Sequence, residues 1–404
     1  MFPPQFEKDL GIFIQEYVQD VVAGLREVCN HSLIPIIHDI VQTISANGNI
    51  FAFGNGGSHA EADSFLFALE REVDPTIKFG SFGNPKLDGI LSRRSESLFD
   101  HILTRRARKG DLVILVSASG NSCNILGASA LSRKSGARTV SISANGLITK
   151  QNVPDHLIII PLQDQQKLEE VTIATLLILA RQVGLLLSGK SESIETTREI
   201  YLEKLVDGVV RIIEPELLLK IVEDIVSAFK QRAIVRVDAT DGLLVAPAEH
   251  MAHNLVWDAR DETREIWSNL VLSGLLPCHM TGVGNDGGCG FNQAIEVQDN
   301  GRKGDVEIVL ATTLEEIKTK SLVKAAHERN MALHTICFGS DELVAPGLAQ
   351  ITAHLTGRLT NTRILVEQGI LDQSKANDWI RKHDLALLRK KDQIRDKLVA
   401  KFGR

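Results

Sequence analysis

The sequence lacks the paired cysteines that are typical of an oxidising compartment and the net positive charge that is typical of nucleic-acid binding. Its five cysteines among 404 residues are scattered and form no Cys-x-x-Cys pair, which favours a reducing cytosol. The net charge of -6 argues against a protein that binds nucleic acid through general electrostatics. The first residues lack the basic and apolar regions of a secretory signal. We therefore expect a cytoplasmic protein.

The sequence also lacks an uninterrupted apolar run long enough to cross a membrane. The most apolar window, residues 174–189, is broken by Arg181 and falls short of the roughly 20 residues that a spanning helix needs. Hydrophobic residues make up 44% of the chain and charged residues 24%, an ordinary balance for a soluble protein with a large core. We interpret this window as a buried helix and expect no membrane contact.

Short apolar segments with the character of buried strands alternate with segments of helical spacing. The first half has strand-like segments at residues 49–53, 111–117, 138–143 and 155–162. This alternation implies right-handed βαβ units and parallel sheets covered by helices on both faces. The predicted fold class is therefore α/β, with doubly wound, three-layer domains.

The same order of segments occurs twice along the chain. The segment "GRKGDVEIVLATT" repeats the pattern of "ARKGDLVILVSAS", and the offset of 194 residues between Asp111 and Asp305 persists to Gly136 and Asn330. Internal repeats decide the architecture. We predict one domain over residues 1–190 and a second over residues 196–404, whose charged end predicts additional C-terminal helices.

The stretch Ser117–Ser122 holds three serines, a glycine and an asparagine between a predicted strand and a predicted helix. Ligands bind at the carboxyl ends of strands in open α/β sheets. Backbone N–H groups and the helix dipole favour a phosphate there, and serine hydroxyls add donors without adding charge. An ordinary capped turn explains one serine but not three, so we predict that this stretch binds phosphate.

A second loop, "GNGGS" at residues 54–58, also follows a strand and precedes a helix. It is not the GxGxxG dinucleotide pattern, and it lacks the lysine of a nucleotide-binding P-loop. Two such loops at the ends of neighbouring strands predict a site for a small polar ligand with a phosphate at one end.

The segments "FGNGGSHAEAD" and "VSASGNSCNIL" together resemble the sugar isomerase (SIS) family, and within it the phosphoheptose isomerases, which convert sedoheptulose 7-phosphate to a heptose phosphate. The resemblance covers most of residues 33–186 and, more weakly, residues 215–372. It implies a phosphorylated sugar as the ligand and a homodimer that forms a pseudo-tetramer. The residues that it implies for the phosphate are Ser117, Ser119, Asn121 and Ser122, and those for the sugar are Asn55, Gly56 and Ser58.

The first half departs from the family at the positions that carry the chemistry. In the family, a His and a Glu after the glycine loop and a Gln and a His on a late helix supply a zinc site and an acid/base pair. The corresponding residues here are Ser64, Ala68, Glu169 and Leu177. Zinc is thus possible, but its usual ligands are missing. The catalytic residues stay unassigned, with His59, Glu61, Glu169 and His250 as candidates. We expect the first three to be helix-terminus or surface charges.

The second half departs differently. Its serine loop becomes "ATTLEE", which places Glu315 and Glu316 where a phosphate would sit and predicts repulsion. His250 falls at the family's metal His position and Asn254 at the catalytic Glu position. No further ligands are evident, so His250 is either a metal ligand or a hydrogen-bonded interface residue. One composite site that uses the serine loop, His250 and residues 284–292 is a further hypothesis.

Two functions remain open at this point. The chain is either an aldose–ketose isomerase for a sugar phosphate with an altered acid/base set, or an inactive phosphosugar-binding, regulatory or scaffold protein. The SIS fold serves both kinds of protein, so whether the chain is an enzyme is not decided by the resemblance.

Overall fold

The computed structural model describes residues 4–28, 30–73, 79–81, 98–144, 146–150, 153–257, 271–273, 292–341, 343–367, 375–376 and 380. The predicted C-terminal helices lie almost entirely outside these residues. Most of the segment 284–292, which the composite-site hypothesis included, also lies outside them.

The first half alternates strands and helices as the sequence predicts. Its helices are α1 (Pro4–Glu27), α2 (Asn30–Ser45), α3 (Gly57–Glu72), α4 (Leu98–Arg106), α5 (Cys123–Ser135) and α6 (Gln165–Leu187). Its strands are β1 (Ile50–Phe53), β2 (Phe79–Ser81), β3 (Leu112–Ser117), β4 (Arg138–Ser143) and β5 (His156–Ile159). Gly136 ends α5 in the left-handed conformation, with φ of 81°.

The second half follows the same alternation. Its helices are α7 (Ile194–Ile212), α8 (Pro215–Gln231), α9 (Gly242–Trp257), α10 (Asn292–Asn300), α11 (Ile317–Glu328) and α12 (Ala345–Glu367). Its strands are β6 (Val235–Ala239), β7 (Val271–Ser273), β8 (Val306–Ala311) and β9 (Ala332–Cys337).

Both sheets are parallel and share one strand order. The first runs β2-β1-β3-β4-β5 and the second runs β7-β6-β8-β9. The strand order reverses between β1 and β3 in the first sheet and between β6 and β8 in the second. Such a switch point opens a crevice at the carboxyl ends of two strands, where doubly wound folds bind ligands.

The two halves also match in detail at the start of their third strands. Asp111 accepts hydrogen bonds from the backbone N–H groups of Asn49 and Arg108, at 2.8 and 2.9 Å. Asp305 accepts the same pair of bonds from Ile234 and Arg302, also at 2.8 and 2.9 Å. The same local device thus joins neighbouring strands in both sheets.

The halves differ on the outer faces of their sheets. In the first sheet Phe51 lies opposite Val113 within an apolar cluster. In the second sheet the corresponding pair is Arg236 opposite Glu307, both buried. Arg236 also pairs with Glu296 of α10. Charged groups therefore occupy a layer that is apolar in the first half, which costs stability unless each group keeps its partners.

Four helices form the centre of the molecule. Helix α3 packs on α6 in the first half and α9 packs on α12 in the second, while α3 also packs on α9 and α6 on α12. Helix α6 has the length and apolar composition of a membrane span, yet 83% of its most apolar window is buried inside the protein. The prediction of a buried core helix is confirmed for most of residues 174–189, since α6 ends at Leu187 and the last residues of this window are exposed.

Candidate functional site

The serine-rich stretch forms a tight turn between the end of β3 and the start of α5. The N–H of Gly120 donates to the hydroxyl of Ser117 at 3.2 Å, and the N–H of Asn121 donates to the hydroxyl of Ser119 at 3.2 Å. Gly120 has a φ of 64°, and a β-carbon there would lie 2.9 Å from the carbonyl oxygen of Ala144. The turn therefore requires glycine at this position.

The first turn of α5 faces this loop. Ser122 is the N-cap residue, but its side chain makes no capping hydrogen bond and instead lies 3.4 Å from the hydroxyl of Ser117. Asn121 is exposed, and Ser119 and Ser122 are half-buried. Hydroxyls and the positive end of a helix thus meet at an accessible point, the usual environment of a bound anion.

The glycine loop at residues 54–58 lies beside the serine turn. Ser58 accepts a hydrogen bond from the N–H of Ala118 at 3.4 Å. The amides of Asn55 and Asn124 hydrogen bond to each other in both directions, at 2.9 and 2.7 Å. The two loops are therefore held together at the switch point between β1 and β3. The sugar contact predicted for Asn55 stays a prediction, and its amide is engaged with α5.

A cluster of buried titratable groups lies on the other side of the glycine loop. It joins Glu169 of α6, His250 of α9 and His354 of α12. The Nε2 atom of His354 lies 3.1 Å from Glu169 Oε2 and 3.2 Å from His250 Nε2, and the remaining separation, from His250 to Glu169, is 3.6 Å. A β-carbon on Gly57 would lie 2.7 Å from His250 Nε2 and 3.0 Å from Glu169 Oε2. The glycine loop thus packs directly against the cluster.

Further buried groups surround this cluster. His354 Nδ1 lies 2.6 Å from Glu170 Oε1, which also accepts a hydrogen bond from the hydroxyl of Tyr17 at 3.3 Å. Glu61 of α3 is fully buried and accepts a hydrogen bond from the amide of Gln350 at 3.5 Å. Three carboxyl groups and two histidines therefore lie in or around this cluster, contributed by both halves of the chain.

The environment of the cluster shifts the pKa values of its carboxyl groups in opposite directions. Burial raises the pKa of Glu61 well above its usual value, and Glu169 and Glu170 raise it further. Burial also acts to raise the pKa of Glu169, but hydrogen bonding to His354 and the charges of both histidines outweigh it and lower that pKa. Burial alone would lower the pKa of His354, but the carboxylates of Glu170 and Glu169 raise it to about 9.

The donor set of Glu169, His250 and His354 fits a divalent metal ion. All three residues are buried, and their donor atoms lie within 4.8 Å of one another. In a tetrahedral zinc site with bonds of about 2.0–2.1 Å, two ligand atoms lie about 3.3 Å apart. The observed separations of 3.1, 3.2 and 3.6 Å bracket that value. A hydrogen bond between the two imidazoles accounts for the same histidine contact without an ion.

The structure corrects the sequence analysis at three candidate residues. His59, Glu61 and Glu169 were expected to be helix-terminus or surface charges. All three lie in the first two turns of their helices, but none is on the surface, with exposed fractions of 0%, 0% and 4%. His59 pairs with Asp63 one turn along α3, at 3.1 Å. The apolar character of the surrounding helices buries these side chains together with the helix faces that carry them.

Sequence analysis missed His354, Glu170, Tyr17 and Gln350. A detectable signal did exist, because Gln350 and His354 are four residues apart on a helix that also carries Arg358. Polar residues at that spacing share one helix face. Gln350, His354 and Arg358 are all buried, so a row of polar residues on an otherwise apolar helix was the sequence signal for the cluster.

The corresponding loop of the second half keeps one hydrogen bond of the serine turn but differs in its residues and its backbone. The N–H of Glu315 donates to the hydroxyl of Thr313 at 3.2 Å, as Asn121 does to Ser119. Leu314 stands where Gly120 adopts the left-handed conformation, and Leu314 is not among the described residues with positive φ. The backbone around this loop therefore differs from the serine turn of the first half.

Comparison with known proteins identifies the first half. Residues 15–144 match the family model of the SIS domain. This part of the chain is similar to the SIS domain. A phosphoheptose isomerase of Citrifermentans bemidjiense is 27% identical over 161 residues, which cover 37% of this chain and 82% of that protein. Both loops lie inside residues 15–144, the region that matches the family model, whereas Glu169, His250 and His354 lie outside it.

Solved structures extend the likeness of fold beyond the matched SIS domain. A candidate phosphosugar isomerase from Bacillus subtilis covers 87% of this chain and 95% of its own, with a TM-score of 0.59 and 12% identity. The C-terminal domain of glucosamine-fructose-6-phosphate aminotransferase from Francisella tularensis covers 86% and 94%, with a TM-score of 0.54 and 13% identity. At these identities the likeness shows the fold alone.

Proposed function

We propose that the chain binds a sugar phosphate at Ser117–Ser122 and interconverts its aldose and ketose forms. The observation that carries this proposal is the position of the glycine loop between the serine turn and the buried cluster. Ser58 contacts the serine turn at Ala118, and the adjacent Gly57 packs against His250 and Glu169. A ligand whose phosphate lies in the serine turn would extend along this loop toward the titratable groups.

The phosphate end of the proposed site uses neutral donors. The hydroxyls of Ser119 and Ser122 and the uncapped first turn of α5 surround an accessible point. Such donors stabilise a phosphate without a cationic side chain. The name of the C. bemidjiense relative supports a phosphorylated sugar as the ligand.

The proposed reaction needs one group that takes a proton from carbon and one that gives a proton to oxygen. Opposite pKa shifts separate such roles. Glu169, whose pKa is lowered, is the ionised base, and Glu61, whose pKa is raised, is the neutral acid. Glu169 accepts the proton of the carbon beside the carbonyl, Glu61 protonates the carbonyl oxygen, and an enediol forms. Glu169 then gives its proton to the former carbonyl carbon, and the hydroxyl on the neighbouring carbon gives its proton to Glu61, which yields the isomer.

The residues that would hold a metal ion in this pocket are Glu169, His250 and His354. Such an ion would neutralise the charge that develops on the carbonyl oxygen. The side chain of Glu170 orients His354 through its Nδ1 atom, so the Nε2 atom of that histidine points into the cluster.

A second candidate function, a sugar-phosphate binder without turnover, is favoured by the burial of the cluster. The side chain of His354 is 0% exposed and that of Glu169 5% exposed, whereas the serine turn is partly open. A binder needs the serine turn alone. An isomerase also needs the glycine loop to move so that sugar carbons reach the carboxyl groups.

The deciding experiment incubates the protein with sedoheptulose 7-phosphate, with and without added zinc. Product formation and the thermal shift are recorded separately. A shift with product supports the isomerase, and a shift without product supports the binder. Ser119→Ala is expected to reduce the shift, whereas Thr313→Ala, at the matching position of the second half, leaves it unchanged. Absence of both shift and product contradicts the proposal.

We also propose that the second half is a degenerate domain of the same fold and that two chains associate into a pseudo-tetramer. The shared strand order and the matching Asp111 and Asp305 contacts support the first part. Light scattering on the purified protein tests the second part, and a monomeric mass would contradict it.

A further inference from the structure

The three donor atoms of the central cluster come from three helices and from both halves of the chain. Glu169 belongs to α6, His250 to α9 and His354 to α12, and their side chains are 0–5% exposed. We propose that they bind one divalent metal ion of the zinc class, which joins the two halves. This inference deepens the proposed function, because the ion would lie beside the glycine loop, but its test requires no sugar.

This centre differs from the metal site that the family resemblance implies, although His250 and Glu169 stand at two of the family's ligand positions. Of the four family positions in the first half, Ser64, Ala68 and Leu177 carry no metal-binding group, and Glu169 replaces a glutamine. His354 belongs to none of those positions. The donor set has been rebuilt across the duplicated chain, with a histidine supplied by α12.

The contacts around His354 are those of a ligand held in place. Its Nδ1 atom lies 2.6 Å from Glu170 Oε1, so the carboxylate accepts the Nδ1 proton and leaves Nε2 to bind an ion. Histidines that bind metals nearly always donate their other ring proton to such a partner. Tyr17 donates to the same oxygen of Glu170 at 3.3 Å and fixes the carboxylate in turn.

Glu169 is oriented in a similar way. Its Oε1 atom accepts a hydrogen bond from the amide of Gln165 at 2.8 Å, while Oε2 faces the two histidines. Oε2 thus faces the cluster, while Oε1 keeps a second lone pair that can still accept a proton. Two imidazole nitrogens with one carboxylate oxygen form the donor set of catalytic zinc sites, whereas magnesium and calcium prefer oxygen ligands.

The fourth coordination position lies on the side of the glycine loop. Gly57 has no side chain, and a β-carbon there would come within 2.7 Å of His250 Nε2 and 3.0 Å of Glu169 Oε2. Any larger residue would therefore close the approach to the donor atoms from this loop. The glycine loop covers this side of the three residues, so movement of the loop would give a bound ion the open position that catalytic zinc sites keep.

The contact between α3 and α12 offers no matching donor set among the described residues. Helices α3 and α12 bring together Glu61 and Gln350, at 3.5 Å, which supply one carboxyl group and one amide. His59 on α3 pairs with Asp63 of the same helix. We therefore expect one ion per chain rather than two.

The test measures metal content on a tag-free protein that is stripped with a chelator, incubated with zinc chloride and dialysed. Elemental analysis is expected to give one zinc per chain. His250→Gln and His354→Gln are each expected to reduce this to below a tenth. His253→Gln is the matched control, because it removes a histidine from the same helix as His250 and is expected to keep one zinc. Cobalt in place of zinc is expected to give the visible absorption of a tetrahedral site.

Circular dichroism separates loss of ligands from loss of fold. If the glutamine variants do not fold, Glu170→Gln serves instead, because it keeps all three donors and is expected to weaken zinc affinity about 10- to 100-fold. Wild-type protein without stoichiometric zinc overturns the inference, and so does full zinc content in folded His354→Gln. Zinc binding without isomerase activity leaves the inference standing and removes the proposed reaction. Full activity after zinc has been stripped contradicts the role of the ion.

Discussion

His354 Nδ1 lies 2.6 Å from Glu170 Oε1, and this contact ties α12 of the second half to α6 of the first. On its other side His354 contacts Glu169 at 3.1 Å and His250 at 3.2 Å. One imidazole thus touches three titratable groups from two other helices. These titratable groups therefore lie where the two halves of the chain meet, beside the glycine loop.

Zinc is predicted to stabilise the folded chain, because an ion bound by both halves has no equivalent site in the unfolded chain. At a free zinc concentration 100-fold above Kd, the gain in unfolding free energy is about 2.7 kcal/mol. The measurement is thermal unfolding of stripped protein with and without zinc. His354→Gln is expected to lose the zinc-dependent increase in Tm, and an equal increase in that variant would contradict the prediction.

Replacement of Gly57 by alanine is predicted to disturb the cluster without straining the backbone. Gly57 opens α3, but its new β-carbon would lie 2.7 Å from His250 Nε2. We expect a lower Tm and a lower zinc content. Gly11→Ala is the control, because its nearest contact would be an ordinary 3.8 Å to Pro215, and there we expect an unchanged or slightly higher Tm. Equal effects of the two substitutions would contradict the steric argument.

Replacement of Gly120 by alanine is predicted to impair phosphate binding. The residue has a φ of 64°, and its β-carbon would meet the carbonyl oxygen of Ala144 at 2.9 Å. Strain of this kind costs about 1–3 kcal/mol. Calorimetry with sedoheptulose 7-phosphate is expected to show binding weakened at least tenfold. Unchanged affinity in the alanine variant would show that the serine turn is not the phosphate site.

The charged layer under the second sheet predicts a pH dependence of stability. Burial raises the pKa of Glu307 well above its usual value, the charges of Asp238 and Glu296 raise it further, and the facing Arg236 lowers it. The folded chain therefore holds this proton more tightly than the unfolded chain. The resulting stability is complete below the usual carboxyl pKa and is lost as the pH rises through the raised value.

The matching variant is Glu307→Gln, which cannot ionise. Its unfolding free energy is expected to fall less than that of the wild type as the pH rises above the ordinary carboxyl pKa, near 4.3. Urea denaturation at a series of pH values measures the difference. Parallel curves for the two proteins would show that Glu307 ionises normally in the folded chain.

The fold was predictable because its signals are local. The strand at Leu112–Ser117 is a run of apolar and β-branched residues, and Gly136 ends the following helix. The serine turn was also recognisable, since its residues are adjacent along the chain. The prediction of β3 and of its repeat 194 residues later rests on such short-range patterns.

The central cluster was not predictable in the same way. Glu169 and His354 are 185 residues apart, and their contact depends on how α6 packs against α12. The sequence analysis assigned Glu169 to a helix terminus or the surface, because glutamate is seldom buried. The polar stripe of Gln350, His354 and Arg358 hinted at a partner, but helix packing alone decides which partner it meets.

The central claim is proton transfer at a carbon of a sugar phosphate held in the serine turn. The direct test incubates sedoheptulose 7-phosphate with the protein in deuterium oxide and follows the hydrogens beside the carbonyl by NMR. The account predicts exchange of these hydrogens for deuterium in wild type, and its loss in a folded Glu169→Gln variant that still binds the sugar. Absence of exchange in zinc-loaded wild type, or full exchange in Glu169→Gln, would contradict it.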